Sequence, residues 1–404
     1  MIVRGGMVVT HRGVEKADVA IAGGQITAVG LNLDGDGEEV DASGVHVFPG
    51  GIDSHVHFNE PGRTEWEDIA HGSAALAAGG YTCFVDMPLN NLPVTATVEA
   101  FDLKLAAMKR SSTLDFGLWG GLVPGNLDQL EPLVQRGVMG FKAFMCPSGI
   151  DEFPAADERT LREGMKRIAE LDSILLVHAE DPDLLRKPAG PTPRDFVESR
   201  PYEAEWSAVE KCVALSNETG CRVHFVHISY DPAAAILGSF TSAETCPHYM
   251  LYTDKDLDRL GGLGKCAPPL RSQRIPLMPI VVSDHSPSTL DLKHGDDFRK
   301  IWGGISGCQS TRQLLLALDV MLPQVAAVTS TNIAKRFRIP GKGDISAGFD
   351  ADLWLVDLSW TGVVRREDLL YKNPFSAHEG QKIRGRTVRT IHGTPKFIRP
   401  SGRS

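Results

Sequence analysis

Two histidines one residue apart, His55 and His57 in Gly51-Ile52-Asp53-Ser54-His55-Val56-His57-Phe58-Asn59-Glu60-Pro61, have the spacing that first points to chemistry. Val47, Phe48 and Ile52 give an apolar lead-in of strand character. On an extended chain residues two apart share a face, so both imidazoles would point the same way and two nitrogen donors could reach one metal ion. A bare His-x-His pair is more often hydrogen-bonded inside a core, so the metal reading needs further donors at the ends of later strands.

Such donors recur. Lys142 stands in Gly140-Phe141-Lys142-Ala143-Phe144, and apolar runs end in His178-Ala179-Glu180, His227-Ile228-Ser229 and Ser283-Asp284-His285-Ser286. Taken singly, His178 and His227 read as core histidines and Asp284 as a helix cap. Lys142 resists that treatment, because an unpaired buried ammonium is costly.

The elements that would position these residues alternate. Helices are expected over 64–79 (Thr64 and Glu67 at capping-box spacing), 98–110, 127–136, 158–171 and 203–216, and strands over 81–87, 116–122, 140–145, 174–177, 223–228, 242–246 and 280–283. With the strand before His55 there are eight strands, which predicts a closed (β/α)8 barrel bearing its chemistry at the strands' C-terminal ends. Such a barrel takes about 250 residues. Residues 1–47 and 343–404 alternate apolar and polar positions, as in Val19-Ala20-Ile21 and Leu353-Trp354-Leu355-Val356, and predict a small β-sandwich domain built from both chain ends around a barrel domain at 48–342. Eight residues between Arg271 and Ile280, and twelve between Ser229 and Ser242, are few for a helical crossover with its loops, which needs at least about 10 to 12. Segments are therefore expected to be lacking at 271–280 and 229–242, and also near 186–193.

A net charge of −9 without a Lys/Arg cluster argues against a nucleic-acid partner. Seven cysteines in no framework spacing point to reduced thiols and a cytoplasmic setting. No apolar run approaches the roughly 18 residues of a membrane span, and Met1-Ile2-Val3-Arg4 enters a strand pattern.

The constellation of His55, His57, Lys142, His178, His227 and Asp284 resembles the amidohydrolase superfamily, in the branch that holds dihydroorotases, hydantoinases and allantoinases, over nearly the whole chain. The resemblance implies that Lys142 is carboxylated by CO2 (N6-carboxylysine) and bridges two divalent metals, one held by His55, His57, Lys142 and Asp284, the other by Lys142, His178 and His227. A carbamate is an anionic oxygen donor, which removes the buried-cation problem. Imidazole with carboxylate suits zinc and admits cobalt, manganese or iron. Two such metals can activate a water and polarise a substrate carbonyl, with Asp284 taking the water's proton and passing it to the leaving nitrogen.

Departures choose the branch. Dihydroorotases usually hold an arginine where this chain has Asn59 and an asparagine where it has Leu89; hydantoinases carry a tyrosine where it has Pro147. His55-Val56-His57-Phe58-Asn59-Glu60-Pro61-Gly62-Arg63, Asp86-Met87-Pro88-Leu89-Asn90, Phe141-Lys142-Ala143-Phe144-Met145-Cys146-Pro147-Ser148-Gly149, Glu244-Thr245-Cys246-Pro247-His248-Tyr249 and Lys265-Cys266-Ala267-Pro268-Pro269 together resemble allantoinases. The expected reaction is therefore opening of the allantoin ring to allantoate in purine catabolism, by a homotetramer. Another cyclic amidohydrolase activity is the near alternative, and a scaffold without catalysis the distant one. Asn59, Leu89, Ser148 and Ser306, the last in Trp302-Gly303-Gly304-Ile305-Ser306-Gly307, are candidate substrate contacts. Cys146 reads as a buried thiol, His248 as a neighbour of the metals or a structural group, and His71 as a helix residue without a role in the site.

Overall fold

In a computed structural model, which describes residues 1–35 and 37–402, alternating apolar residues near the N-terminus form β1 (Ile2–Thr10), β2 (Gly13–Ala22), β3 (Gln25–Gly30), β4 (Glu39–Asp41) and β5 (His46–Pro49). The barrel strands follow: β6 (Gly51–Val56), β7 (Tyr81–Asp86), β8 (Asp115–Leu118), β9 (Gly120–Gly121), β10 (Phe141–Phe144), β11 (Ile174–His178), β12 (Arg222–Phe225) and β13 (Thr241–Ala243). Pairing is parallel throughout, β6 to β7 to β8 and β9 to β10 to β11 to β12 to β13. β8 and β9 form one barrel strand broken at Trp119, whose N–H donates to Asp86 O at 3.0 Å.

The eighth strand, expected over 280–283, is reduced to single bridges from Thr245 to Val281 and from Val56 to His285. Residues 271–280 hold no helix, so the chain reaches the barrel from a coil and only isolated pairs fall into register. Residues 229–242 likewise carry only the short helix Asp231–Ala234 before β13. Elsewhere helices cover the outside of the barrel, including Val98–Ser111, Glu158–Glu170 and Tyr202–Thr219. The side chains of Thr97 and Asp157 cap the first two. The first helix runs Ile69–Ala78 and is capped by Asp68, four residues after the Thr64 cap that the Thr64/Glu67 pattern predicts. Glu67 is buried instead, accepting the Lys372 N–H at 3.0 Å, which no local pattern could show.

The chain ends meet in one hydrogen-bonded sheet of seven strands, where β14 (Leu353–Val363) pairs with β5 and β15 (Lys382–Ile391) pairs with β14. Its strands belong to a single sheet rather than to two separate ones among the described residues. Arg312 fastens this sheet to the barrel: it is fully buried, donates to Gly80 O at 2.7 Å and Pro49 O at 3.1 Å, and lies 4.2 Å from the Trp354 ring centre. Gly80 has φ +83°, and a Cβ there would come within 2.4 Å of the same indole.

A second fastening is ionic. The Lys342 ammonium, with its side chain 1% exposed, lies 2.6 Å from Asp115 of β8, 3.0 Å from Asp350 and 2.6 Å from Asp352. Removing the cation leaves buried carboxylates uncompensated, a change that costs about 3–5 kcal/mol. Lys342→Met is therefore expected to lower the thermal midpoint by several degrees at unchanged metal content, and a midpoint equal to wild type would contradict this role.

Candidate metal-dependent active site

β6 ends in a buried carboxylate and two imidazoles. Asp53 accepts the His55 N–H at 3.2 Å and that of Ser283 at 3.3 Å, which holds the end of β6 against the last barrel segment. His55 and His57 turn to the same side, with Nε2 atoms 3.2 and 3.4 Å from Asp284 Oδ1. From β11 and the end of β12, His178 Nδ1 and His227 Nε2 approach to 3.1 Å. His55 joins the two groups, its ring centre 5.4 Å from those of both His57 and His227.

Lys142 on β10 completes the set. It is 0% exposed, and Nζ has no hydrogen-bond partner among the described residues. Burial pushes its ammonium down to about 7, partly offset by Asp284 and Glu244. An orphaned amine that is readily neutral is a nucleophile suited to take up CO2, and the carbamate would supply the oxygens this position lacks. The arrangement therefore fits two divalent ions: three imidazole or carboxylate atoms in one group (His55, His57, Asp284), two imidazole atoms in another (His178, His227), and Lys142 close to members of both. His227 and Asp284 have φ of +42° and +46°, a left-handed conformation uncommon for such residues and frequent where function fixes the backbone.

Further carboxylates orient the imidazoles. Glu244 Oε1 lies 2.6 Å from His55 Nδ1, and its Oε2 lies 3.0 Å from His224 Nε2, whose Nδ1 meets Ser242 Oγ at 2.7 Å. A proton on His55 Nδ1 leaves the Nε2 lone pair facing the site. Glu180 Oε2 does the same for His178, at 2.7 Å from Nε2. Burial alone would raise the Glu180 carboxyl, but Arg200 and His178 hold it far below its ordinary range. Glu244→Gln keeps the size but loses one of the two acceptor oxygens that fix the His55 and His224 tautomers. It is expected to weaken metal binding about 10–100-fold in a chelator competition, and unchanged affinity would contradict the orienting role.

These groups open into a cavity of about 480 Å³ lined by His55, His57, Leu89, Asn90, Phe144, Ser148, His178, Arg200, His227, Asp284 and the loop 299–304, among others. Leu89 and Ser148 thus lie in its wall, with the Ser148 hydroxyl donating to Phe153 O at 2.6 Å. Asn59 and Ser306 are buried and do not line it. His248 is buried with Cys246 and Asp284 close by, whereas His71 is exposed and pairs with Asp68 at 2.8 Å. All seven cysteines are free and buried, and burial raises the Cys146 thiol to about 12. No helix among the described residues is long and apolar enough to cross a membrane.

The Glu180 and Glu244 motifs are visible in the sequence, but their roles are not. Glu180 follows His178 by two residues and Glu244 ends β13's run, a placement that could have marked both as partners of the strand-end histidines.

A barrel with a donor set of this kind is what the amidohydrolases share, and the model of the Amidohydrolase family matches residues 46–385. The chain belongs to that family. Relatives within it include allantoinases: that of Rubrobacter xylanophilus is 48% identical over 97% of this chain and 92% of its own length, and that of Solibacter usitatus 46% identical over 98% and 93%. The first alignment runs over 420 positions, more than the 404 residues of this chain, so that relative carries internal residues this chain lacks. Among solved structures, the L-hydantoinase (dihydropyrimidinase) from Arthrobacter aurescens superposes with a TM-score of 0.94 at 26% identity, covering 98% of this chain and 99% of that one. The dihydropyrimidinase from Brevibacillus agri gives 0.88 at 26% identity, covering 98% and 95%.

Proposed function

We propose that this chain is an allantoinase, a metal-dependent cyclic amidohydrolase that opens the ring of allantoin to allantoate. The reading rests on one observation: the imidazole and carboxylate atoms of His55, His57, His178, His227 and Asp284 converge about the unpartnered Lys142 amine, in a chain 48% identical to an allantoinase over nearly its whole length.

His55, His57, Asp284 and a carboxylated Lys142 would hold one divalent ion, and Lys142, His178 and His227 would hold the other, with zinc the first choice of metal. When bound, the pair supplies an acidified water and polarises the amide carbonyl. The chain's own residues do the rest. Asp284, with its side chain 13% exposed at the cavity, accepts the water's proton on a carboxylate oxygen and delivers it to the ring nitrogen as the C–N bond breaks. Glu244 and Glu180 keep the His55 and His178 lone pairs directed at the site. Leu89, Phe144 and Trp302 give the cavity apolar walls suited to a neutral ring, and Ser148 stands at its wall as a polar contact. The enzyme works in the cytoplasm as a homotetramer.

The test is product analysis. Metal-replete protein incubated with allantoin should release the ring-opened ureido acid, and prior chelation should stop it. Absence of that product from metal-replete protein would refute the reading.

A further inference from the structure

The cavity loop 299–304, with Phe298 before it, contains no helix or strand; buried Lys293 stands behind it, and buried Lys265 borders the cavity beside it. Lys265 donates from Nζ to the carbonyls of Phe298 at 2.6 Å, Arg299 at 3.3 Å and Ile301 at 2.6 Å. Lys293 donates to Trp302 O at 3.0 Å and to Gly304 O. Five carbonyls from seven consecutive residues are thus gathered by two ammonium groups. The residues are 6% and 3% exposed, and neither makes an ion pair among the described residues.

A buried ammonium without a carboxylate must have its charge met by oriented dipoles, or it costs several kcal/mol. Burial pushes Lys265 down to about 8, with Arg200 adding to the shift and Asp297 opposing it, and Lys293 to about 7; the hydrogen-bond partners of both amines are the loop's carbonyl oxygens. The rings of Phe196 and Phe298 add to this for Lys265, with centres 4.8 and 5.3 Å from Nζ. The loop depends on the lysines in turn. Its main-chain bonds to the surrounding structure are few: Phe298 N–H to Pro191 O at 2.8 Å, Trp302 N–H to Leu292 O at 2.9 Å and Gly304 N–H to Lys265 O at 2.8 Å. Both anchors are fitted closely. A Cβ on Gly304, φ +155°, would meet Ser286 O at 2.5 Å, and one on Gly262 would meet Lys293 O at 2.1 Å.

From these contacts we infer that Lys265 and Lys293 are positioning residues, a paired clamp that gives the loop 298–304 the shape of a substrate-binding wall. The role rests on the reading of the cavity as the allantoin site. Beyond the loop, Ile305 bridges to His285 and accepts the Ser286 N–H at 3.0 Å, so the segment bearing Asp284 has its own support. Loss of the clamp therefore acts on substrate affinity before it acts on the chemical step.

The experiment compares Lys265→Met, Lys293→Met and Lys293→Gln with the wild type, each metal-loaded. Hydrogen exchange of peptides spanning 298–304 is expected to rise about tenfold or more in the methionine variants while the barrel strands keep their protection. KM for allantoin should rise about tenfold or more, with kcat changed less and metal content equal to wild type. Lys293→Gln, which keeps two N–H donors, should recover part of both effects. Unchanged exchange in 298–304, exchange raised equally across the barrel, or a loosened loop with unchanged KM would each overturn the clamp. Should one methionine variant fail to fold, the other and Lys293→Gln carry the same readouts. Exchange is measured without substrate, so a wild type inactive on allantoin would overturn the functional reading and leave the test of loop ordering standing.

Discussion

Replacing Lys142 with alanine is expected to strip the protein of metal and to lower allantoin turnover at least about a thousandfold, equivalent to about 4 kcal/mol of transition-state stabilisation. Lys142 is buried close enough to His55, His178, His227 and Asp284 to act on them electrostatically, and its amine has no partner among the described residues. Without the bridging carbamate, five neutral or singly charged donors must hold two dications in a buried site, and the imidazoles themselves carry no charge to offset them. Burial lowers His55, His178 and His227 alike, which keeps them neutral and available as donors but adds no anion. Short carboxylic acids are expected to restore part of both metal and turnover, since they offer the missing oxygens from solution. Measured metal content and turnover in the unsupplemented variant decide the matter, and wild-type values there would end the bridging role.

Asp284→Asn is expected to behave differently. The amide has the same shape, and the remaining donors with carboxylated Lys142 should retain at least part of the metal. It can neither accept the water's proton nor return it to the leaving nitrogen, so kcat should fall about 10²–10⁴-fold. The two variants thus separate holding the metals from moving the proton. Near-normal kcat in metal-containing Asp284→Asn would exclude Asp284 as the shuttle.

What could be read from the sequence divides along the line between local and distant causes. β7 and β11 are largely apolar runs, β10 is apolar except for Lys142, and β6 follows the apolar lead-in of Val47 and Phe48, so the donors they carry fall where a parallel barrel can turn them inward. The last barrel strand was not legible as it stands, because its register comes from single bridges supplied by Thr245 and Val56. The first helix begins at Ile69 because Glu67 serves the Lys372 N–H, from a residue 305 positions away. Leu89 and Ser148 reach the cavity wall, whereas Asn59, two residues from His57, turns into the protein. The alternation that pairs His55 with His57 ends with β6 at Val56, so periodicity could no longer place the residues beyond it. The roles of Lys265 and Lys293 were not legible, since their partners are carbonyl oxygens and a carbonyl leaves no mark in a sequence.

The structural likeness is to hydantoinases and the sequence likeness to allantoinases, so substrate preference separates the branches of the family. The measurement that tests it most directly is kcat/KM for allantoin, hydantoin and dihydroorotate side by side, on one preparation of the wild-type chain at fixed metal content. The account expects allantoin to exceed each of the others by about a hundredfold or more. Hydantoin or dihydroorotate turned over as well as allantoin, or better, would contradict it.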